Sequence, residues 1–297
     1  MFQDTIRIGT LVNAAKNAPG YIRQILPHGF ESFSLTFWQT LGDCDLKKLA
    51  REVAAVLEGS DAVISSICVF GNPLAGDDLA AQSRDGWKKL IDHAQLFGCD
   101  VVAGFSGRVP GEPIDKCIKP WAKVFKPLVE RAKDKGVRLA FENCEMGGTW
   151  KSGTWNIAQT PMAWEMMWDA LPADNLGLEW EPCHQMVKLI DPMAQLRKYV
   201  KKIFHVHGKD ATIMWDVIRE HGINGPAPWC FHRTPGFGDS NWTDIISELR
   251  RGGFKGSIDI EGWHDPVYRA ELEMTGQVAG MNYLKRCRTS FVPNPKQ

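Results

Sequence analysis

What this 297-residue sequence lacks narrows its class before anything it contains. Its 35 Lys and Arg are matched by 35 Asp and Glu, so it has no net charge at neutral pH. A chain that grips nucleic acid through phosphates usually carries a basic excess, and this one does not. Its eight cysteines never stand in C-x-x-C spacing, which argues against a structural zinc knuckle or a thioredoxin-like motif. No apolar run reaches membrane-spanning length, and the opening MFQDTIRIG has no charged-then-apolar signal pattern. The expectation is a reduced, cytoplasmic protein with no nucleic-acid or membrane partner, whose cysteines serve as small core residues. No G-x-G-x-x-G follows the first apolar segment, so a dinucleotide-binding open sheet lacks its fingerprint.

What is present is alternation. Short apolar runs at Ile6–Val12, Gly29–Thr36, Ala62–Val69, Asp100–Phe105, Val137–Asn143, Leu176–Glu181, Ile203–His207 and Gly256–Glu261 read as strands. Between them lie helical faces, such as Leu46, Leu49, Val53, Val56 and Leu57, or Trp121, Val124, Phe125, Leu128 and Val129. Thr160-Pro161 and Asp191-Pro192 are cap-then-proline helix entries. Eight strand–helix units predict a closed parallel (β/α)8 TIM barrel, one domain over residues 1–297. The Gly- and Pro-rich stretch around 209–241 reads as an inserted loop of the functional kind.

In such a barrel the chemistry sits at the C-terminal strand ends. The fifth strand ends in Glu142, the sixth in Glu181 with His184 three residues on, and the eighth in Glu261. The seventh carries His205 and His207, then Lys209. Period-two alternation puts His205, His207 and Lys209 on one face, with Glu179 and His205 one layer below Glu181 and His207. Three carboxylates in one mouth raise one another's pKa, and a divalent cation relieves the conflict. Glu142, Glu181, His207 and Glu261 are therefore the expected metal ligands, an oxygen-rich set that suits Mn²⁺ first, with Mg²⁺, Co²⁺ or Zn²⁺ as other candidates. Each residue also has a plainer reading: a lone strand-end Glu is usually solvated or salt-bridged, and a lone H-x-H is often one core and one exposed histidine. An H-x-H is also found in barrel amidohydrolases, but on the first strand. Lys209 reads as a substrate contact, or as a Schiff-base lysine if no metal ring forms.

Taken together, FGNPLAGDD, FSGRVPG, AFEN, WNIAQTPMAWEMM, LGLEWEPCHQM, FHVHGKD, RTPGFGDSNW and IDIEGWHDP resemble the xylose isomerase-like sugar isomerase/epimerase barrels along most of the chain. The resemblance implies the same four ligands, with His184 touching substrate oxygens and Arg233 in a segment that supplies a substrate-binding basic residue. One position departs: relatives carry Asp in D-P-S-H where this chain has Glu181 in E-P-C-H. Glutamate reaches one methylene further.

The resulting expectation is a metal-dependent isomerase or epimerase of a ketose or keto-sugar, with Glu142 and Glu261 as the acid–base pair. A lyase or dehydratase acting on a keto-sugar or 3-keto-glycoside would use the same residues. A repair nuclease of the same superfamily needs more histidine ligands than this chain offers, and a sugar-binding pseudo-enzyme is the remaining alternative. Trp38, Phe70, Trp150, Trp155 and Trp263 lie on or near loops, placed either to stack on a sugar or simply to pack. Without a Gly-rich phosphate cradle a free sugar is favoured over a sugar phosphate, although Lys209 and Arg233 would suit phosphate. The sequence leaves a homo-oligomer open.

Overall fold

The computed structural model describes residues 6–262 and 264–295. Among the described residues there are ten strands: β1 Arg7–Asn13, β2 Ser32–Trp38, β3 Val63–Phe70, β4 Val101–Gly104, β5 Arg138–Glu142, β6 Leu176–Trp180, β7 Ile203–Gly208, β8 Asp210–Ile213, β9 Cys230–Arg233 and β10 Ser257–Ile260. Eight of them close a barrel in the order β1-β10-β7-β6-β5-β4-β3-β2. Every neighbouring pair in it is parallel. This is the expected (β/α)8 barrel.

Helices wrap the outside because their apolar faces have the barrel wall to bury against. The helix Leu46–Leu57 buries Leu46, Leu49, Ala50 and Val53. In the helix Ile114–Asp134, Trp121 and Phe125 pack edge-on against Phe141 of β5, with centroids 5.8 and 4.9 Å apart. Both proline-marked helices start where their caps predict. The Thr160 side chain accepts from Ala163 N, and Asp191 accepts from Met193 N at 2.8 Å. Among the described residues no helix is long and apolar enough to cross a membrane.

Two expectations change. The second strand begins at Ser32, not Gly29, because Gly29 (φ 99°) is the left-handed cap that ends a short 3₁₀ turn at Leu26–His28. The stretch around 209–241 is more ordered than an inserted loop. Strands β8 and β9 pair antiparallel, Asp210 opposite Arg233 and Ala211 opposite His232, and the helix Trp215–His221 lies between them.

The barrel interior also departs from the usual branched aliphatic filling. Thr10, Ser32, Ser34, Ser66, Glu179, His205 and Asp259 are all buried polar residues. Between β6 and β7 the register slips, so Leu178 pairs Ile203 but Glu179 pairs His205, and Phe204 is passed over. Gly177 makes room for this slip, since a Cβ there would strike the Lys202 carbonyl oxygen and the Phe204 ring.

Candidate active site

Glu142 closes β5, Glu181 follows β6, His207 lies on β7 and Glu261 follows β10, so four strands bring four side chains to one end of the barrel. One donor atom from each lies within 4.8 Å of the others, and all four residues are buried. The strand ends are tied together by amides. Asn143 Nδ2 donates to the Glu181 carbonyl at 2.9 Å, while Glu181 N donates back to Asn143 Oδ1 at 2.8 Å. Asn156 Nδ2 donates to the carbonyls of Glu142 and Cys144, both at 2.8 Å.

Around this ring the charges alternate. His207 Nδ1 is 3.1 Å from Glu142 Oε1 and 3.4 Å from Glu261 Oε2. His184 Nε2 is 2.9 Å from Glu181 Oε1, and Glu145 Oε2 holds the other ring nitrogen at 3.0 Å. Lys209 Nζ is 2.8 Å from Glu261 Oε1 and 3.3 Å from His184 Nε2. Burial, with Glu181 and Glu261 nearby, pushes the Glu142 carboxyl up to about 8 against the pull of His207. Burial also works to raise Glu261, but Lys209, His207 and His264 outweigh it and hold its carboxyl well below the usual range. In the same way, Glu145 overcomes its burial through His184 and falls to about 2.

Lys209 already supplies one cation to these carboxylates, so their mutual repulsion alone does not call for a metal. The donor set makes the case. Glu181 Oε2 and Glu261 Oε2 are buried without a hydrogen-bond partner among the described residues. Buried carboxylate oxygens left without a hydrogen bond are costly, and a divalent ion would satisfy both. Three carboxylates and one imidazole in this arrangement fit such an ion.

Of the ring, Glu142, His207 and Glu261 line a cavity of about 910 Å³, and Glu181 does not reach its wall. Phe70 and Phe105 form an aromatic wall, and Trp38 stands at the rim, 57% exposed, with its ring 5.5 Å from Trp155. Of the other expected stacking residues, Trp150 packs on the main core and Trp263 lies outside the described residues. His184 and Lys209 line the cavity. Arg233 does not appear in its lining; its Nε is 3.2 Å from Asp265 Oδ2, and that pair occupies it. Its neighbour on β9, His232, lines the cavity instead, because successive strand residues face opposite ways. Burial, Lys209 and His184 together lower the His232 imidazole to about 4.

His232, Glu145, His264 and Asp259 were not singled out from sequence. For His232 the alternation of C-F-H-R was the available signal. For Glu145 and His264 there was none, since both lie on loops past the strand ends.

A family model described as xylose isomerase-like TIM barrel matches residues 22–287. Among curated proteins, the uncharacterized protein YfiH of Bacillus subtilis is 24% identical over 243 residues, covering 71% of this chain and 74% of its own. An inosose dehydratase of Clostridium perfringens is 25% identical over 171 residues, 56% of this chain and 54% of its own. Among solved structures, the 3-keto-D-glucoside 4-epimerase YcjR of E. coli, in apo form, superposes with a TM-score of 0.67 at 15% identity. That alignment covers 95% of this chain and all of the other (100%).

Proposed function

The chain belongs to the xylose isomerase-like TIM barrel family, and on that premise we propose that it is a divalent-metal-dependent isomerase or epimerase of a ketose or keto-sugar. The observation that carries this reading is that Glu142 and Glu261, from separate strands, both approach His207 Nδ1, at 3.1 and 3.4 Å, and both line one cavity. Two carboxylates on separate strands that flank one substrate position are what proton removal and return require. Glu142, Glu181, His207 and Glu261 would hold the ion, Mn²⁺ in preference to Mg²⁺, Co²⁺ or Zn²⁺. When bound, it supplies Lewis-acid polarisation of a carbonyl and its neighbouring hydroxyl.

The chain's own groups do the rest. One glutamate takes the proton from the carbon beside the carbonyl, and the other delivers a proton to the resulting enediolate from its own side. The buried ammonium of Lys209 and the imidazole of His184 donate to the substrate oxygens on which negative charge develops. Glu145 orients His184 for this at 3.0 Å. The aromatic wall of Phe70 and Phe105 excludes water from the exchanging proton. Trp38 covers the apolar face of the sugar.

Dehydration is the second reading. Lys209 Nζ, 3.3 Å from His184 Nε2, places a proton donor where a departing hydroxyl would need one, and the dehydratase relative runs in the same direction.

Incubation of the manganese-loaded protein with keto-sugars in heavy water separates the two. Deuterium at the epimerised carbon, with all substituents retained, is the expected result. Loss of a hydroxyl would favour the dehydratase, and no exchange with any keto-sugar, together with no bound divalent metal, would overturn both.

A further inference from the structure

The cavity is larger than the proposed reaction needs. Its volume is about 910 Å³. At the roughly 30 Å³ that each water molecule takes up in the liquid, the non-hydrogen atoms of a ketohexose fill about 360 Å³, under half of it. The four carboxylate and imidazole groups gather on the neighbouring strands β5, β6, β7 and β10. Asn13, Lys16, Asn17, Tyr21, Glu273 and Met274 line the cavity elsewhere. They come from the end of β1 and the loop after it, the helix Ala18–Ile25 and the start of the helix Glu273–Arg288. The proposed proton transfer uses none of them. We infer that this β1 end is a second subsite that takes another sugar ring, so that the substrate is a keto-sugar joined to a second sugar and not a free ketose.

The chemistry of these groups selects a sugar. Asn13 Oδ1 accepts from Ala15 N and Asn17 Oδ1 from Gly20 N, both at 3.0 Å, which fixes the two amides. Their NH2 groups, the Lys16 ammonium and the Tyr21 hydroxyl have no hydrogen-bond partner among the described residues. On the acceptor side, Glu273 Oε1 takes Gln277 Nε2 at 3.0 Å, while Oε2 has no partner among the described residues. A hydroxyl both donates and accepts, and a sugar ring carries several, so it can serve the free donors and the carboxylate together. A phosphate only accepts, and it would meet Glu273 as a like charge. An apolar group would leave all of them unpaired.

Depth gives the order of the two rings. Glu142, His207 and Glu261 are buried, whereas Asn13, Lys16 and Asn17 are exposed. The reacting ring therefore lies deep, and the second ring sits at the mouth with Met274 as an apolar surface beside it. A disaccharide has about twice the atoms of a hexose and still fits the volume. The inference rests on the keto-sugar reading above for which ring reacts, although not for the subsite itself.

The test uses the full chain with Mn²⁺ present and probes that differ by one glucose. Fructose is set against its glucosylated forms linked through O3, O4, O5 or O6, and 3-ketoglucose against 3-ketomaltose. Calorimetric titration reads each affinity. At least one disaccharide is expected to bind about tenfold tighter than its own monosaccharide, as one or two net hydrogen bonds would give. The double variant Lys16→Ala, Tyr21→Phe is expected to lose most of that preference. Neither polar group it removes has a partner in the free protein, so it is expected to fold, which a melting curve checks; Lys16→Ala alone, at an exposed position, stands in if it does not. A preference that survives in the variant would place the second ring elsewhere and overturn the inference. Monosaccharides that bind as tightly as every disaccharide would overturn it too, while leaving the keto-sugar reading in place. Fructose 6-phosphate bound tighter than fructose and all its glucosylated forms would assign this end to phosphate instead. If no probe of either size binds, the keto-sugar reading falls with the subsite.

Discussion

Lys209 Nζ sits 2.8 Å from Glu261 Oε1 and 4.0 Å from Glu181 Oε2, inside the ring of residues proposed to hold a cation. The ammonium is a fixed positive charge among the very groups a metal would need. In the metal-free protein it neutralises carboxylates; in the loaded protein it would stand beside the ion as a like charge. The same side chain thus stabilises one state and opposes the other.

Lys209→Met separates these effects. Removing one partner of a buried pair costs about 3–5 kcal/mol, so the metal-free variant is expected to melt well below the parent. A like charge lining the site would repel a divalent ion by several kcal/mol at an effective dielectric of about 20, so Mn²⁺ affinity is expected to rise at least about tenfold. Melting curves with and without Mn²⁺ read both. A variant whose melting temperature and Mn²⁺ affinity match the parent's would show that Lys209 makes no such contact.

Glu261→Gln keeps the shape of the side chain and removes its basicity. Acid–base groups contribute about 10²–10⁴ to rate, so deuterium exchange is expected to fall by at least about 100-fold. The fold should persist, as judged by circular dichroism and by bound Mn²⁺ above saturating concentration. Exchange at the parental rate would remove Glu261 from proton transfer.

The part of this site that was readable in advance is the part governed by strand periodicity. Glu142, Glu181, His207 and Glu261 end strands, and a period of two fixes which way each points once the strand is known. The polar interior was less accessible. The same period sets Glu179, His205 and Asp259 one layer below Glu181, His207 and Glu261, but their pairing with one another joins distant parts of the sequence and has no local signal. Nor does any local pattern announce the slip that pairs Glu179 with His205. Arg233, which the resemblance implies as a substrate contact, faces Asp265 in this structure, and the strand phase of β9 gives the cavity side to His232.

The slip gives its own prediction. Gly177→Ala would drive a Cβ into the Lys202 carbonyl and the Phe204 ring. Overpacking of this kind costs about 1–3 kcal/mol, and relief by restoring the register would pull Glu179 from His205. Chemical denaturation is expected to show that loss. A variant as stable as the parent would mean that the wall between β6 and β7 yields more easily than its geometry indicates.

At the other end of the barrel, Glu31 accepts from Arg288 at 2.5 and 3.1 Å and from Ile8 N at 2.9 Å, joining the first strand to the last helix, Glu273–Arg288. Burial alone would raise its carboxyl, but Arg288, the Ile8 N–H and Lys285 together hold it below the usual range. A carboxyl depressed in the folded state contributes stability above its unfolded pKa of about 4.3, and that contribution is lost as pH falls through the folded value. Glu31→Gln is therefore expected to be less stable than the parent by about 2 kcal/mol at pH 7, with the gap closing below about pH 4. Urea unfolding at a series of pH values measures it, and a gap independent of pH would show that the charge is not what holds the ends together.

Trp38 tests whether the rim binds sugar or only packs. More than half of its surface is exposed (57%), although its ring is 5.5 Å from Trp155 and 6.4 Å from Phe105. A large apolar group left open beside a polar cavity either awaits a partner or contributes little. Because it buries little, Trp38→Ala is expected to change stability by no more than about 0.5 kcal/mol. If the ring stacks on substrate, KM rises with kcat unchanged, since stacking on a non-reacting face is equal in the ground and transition states. An aromatic contact of roughly 1 kcal/mol corresponds to about a fivefold rise. Unchanged KM would leave Trp38 as a packing partner of Trp155, and a fall in kcat alone would place its effect on the reacting groups at the strand ends and not on sugar binding.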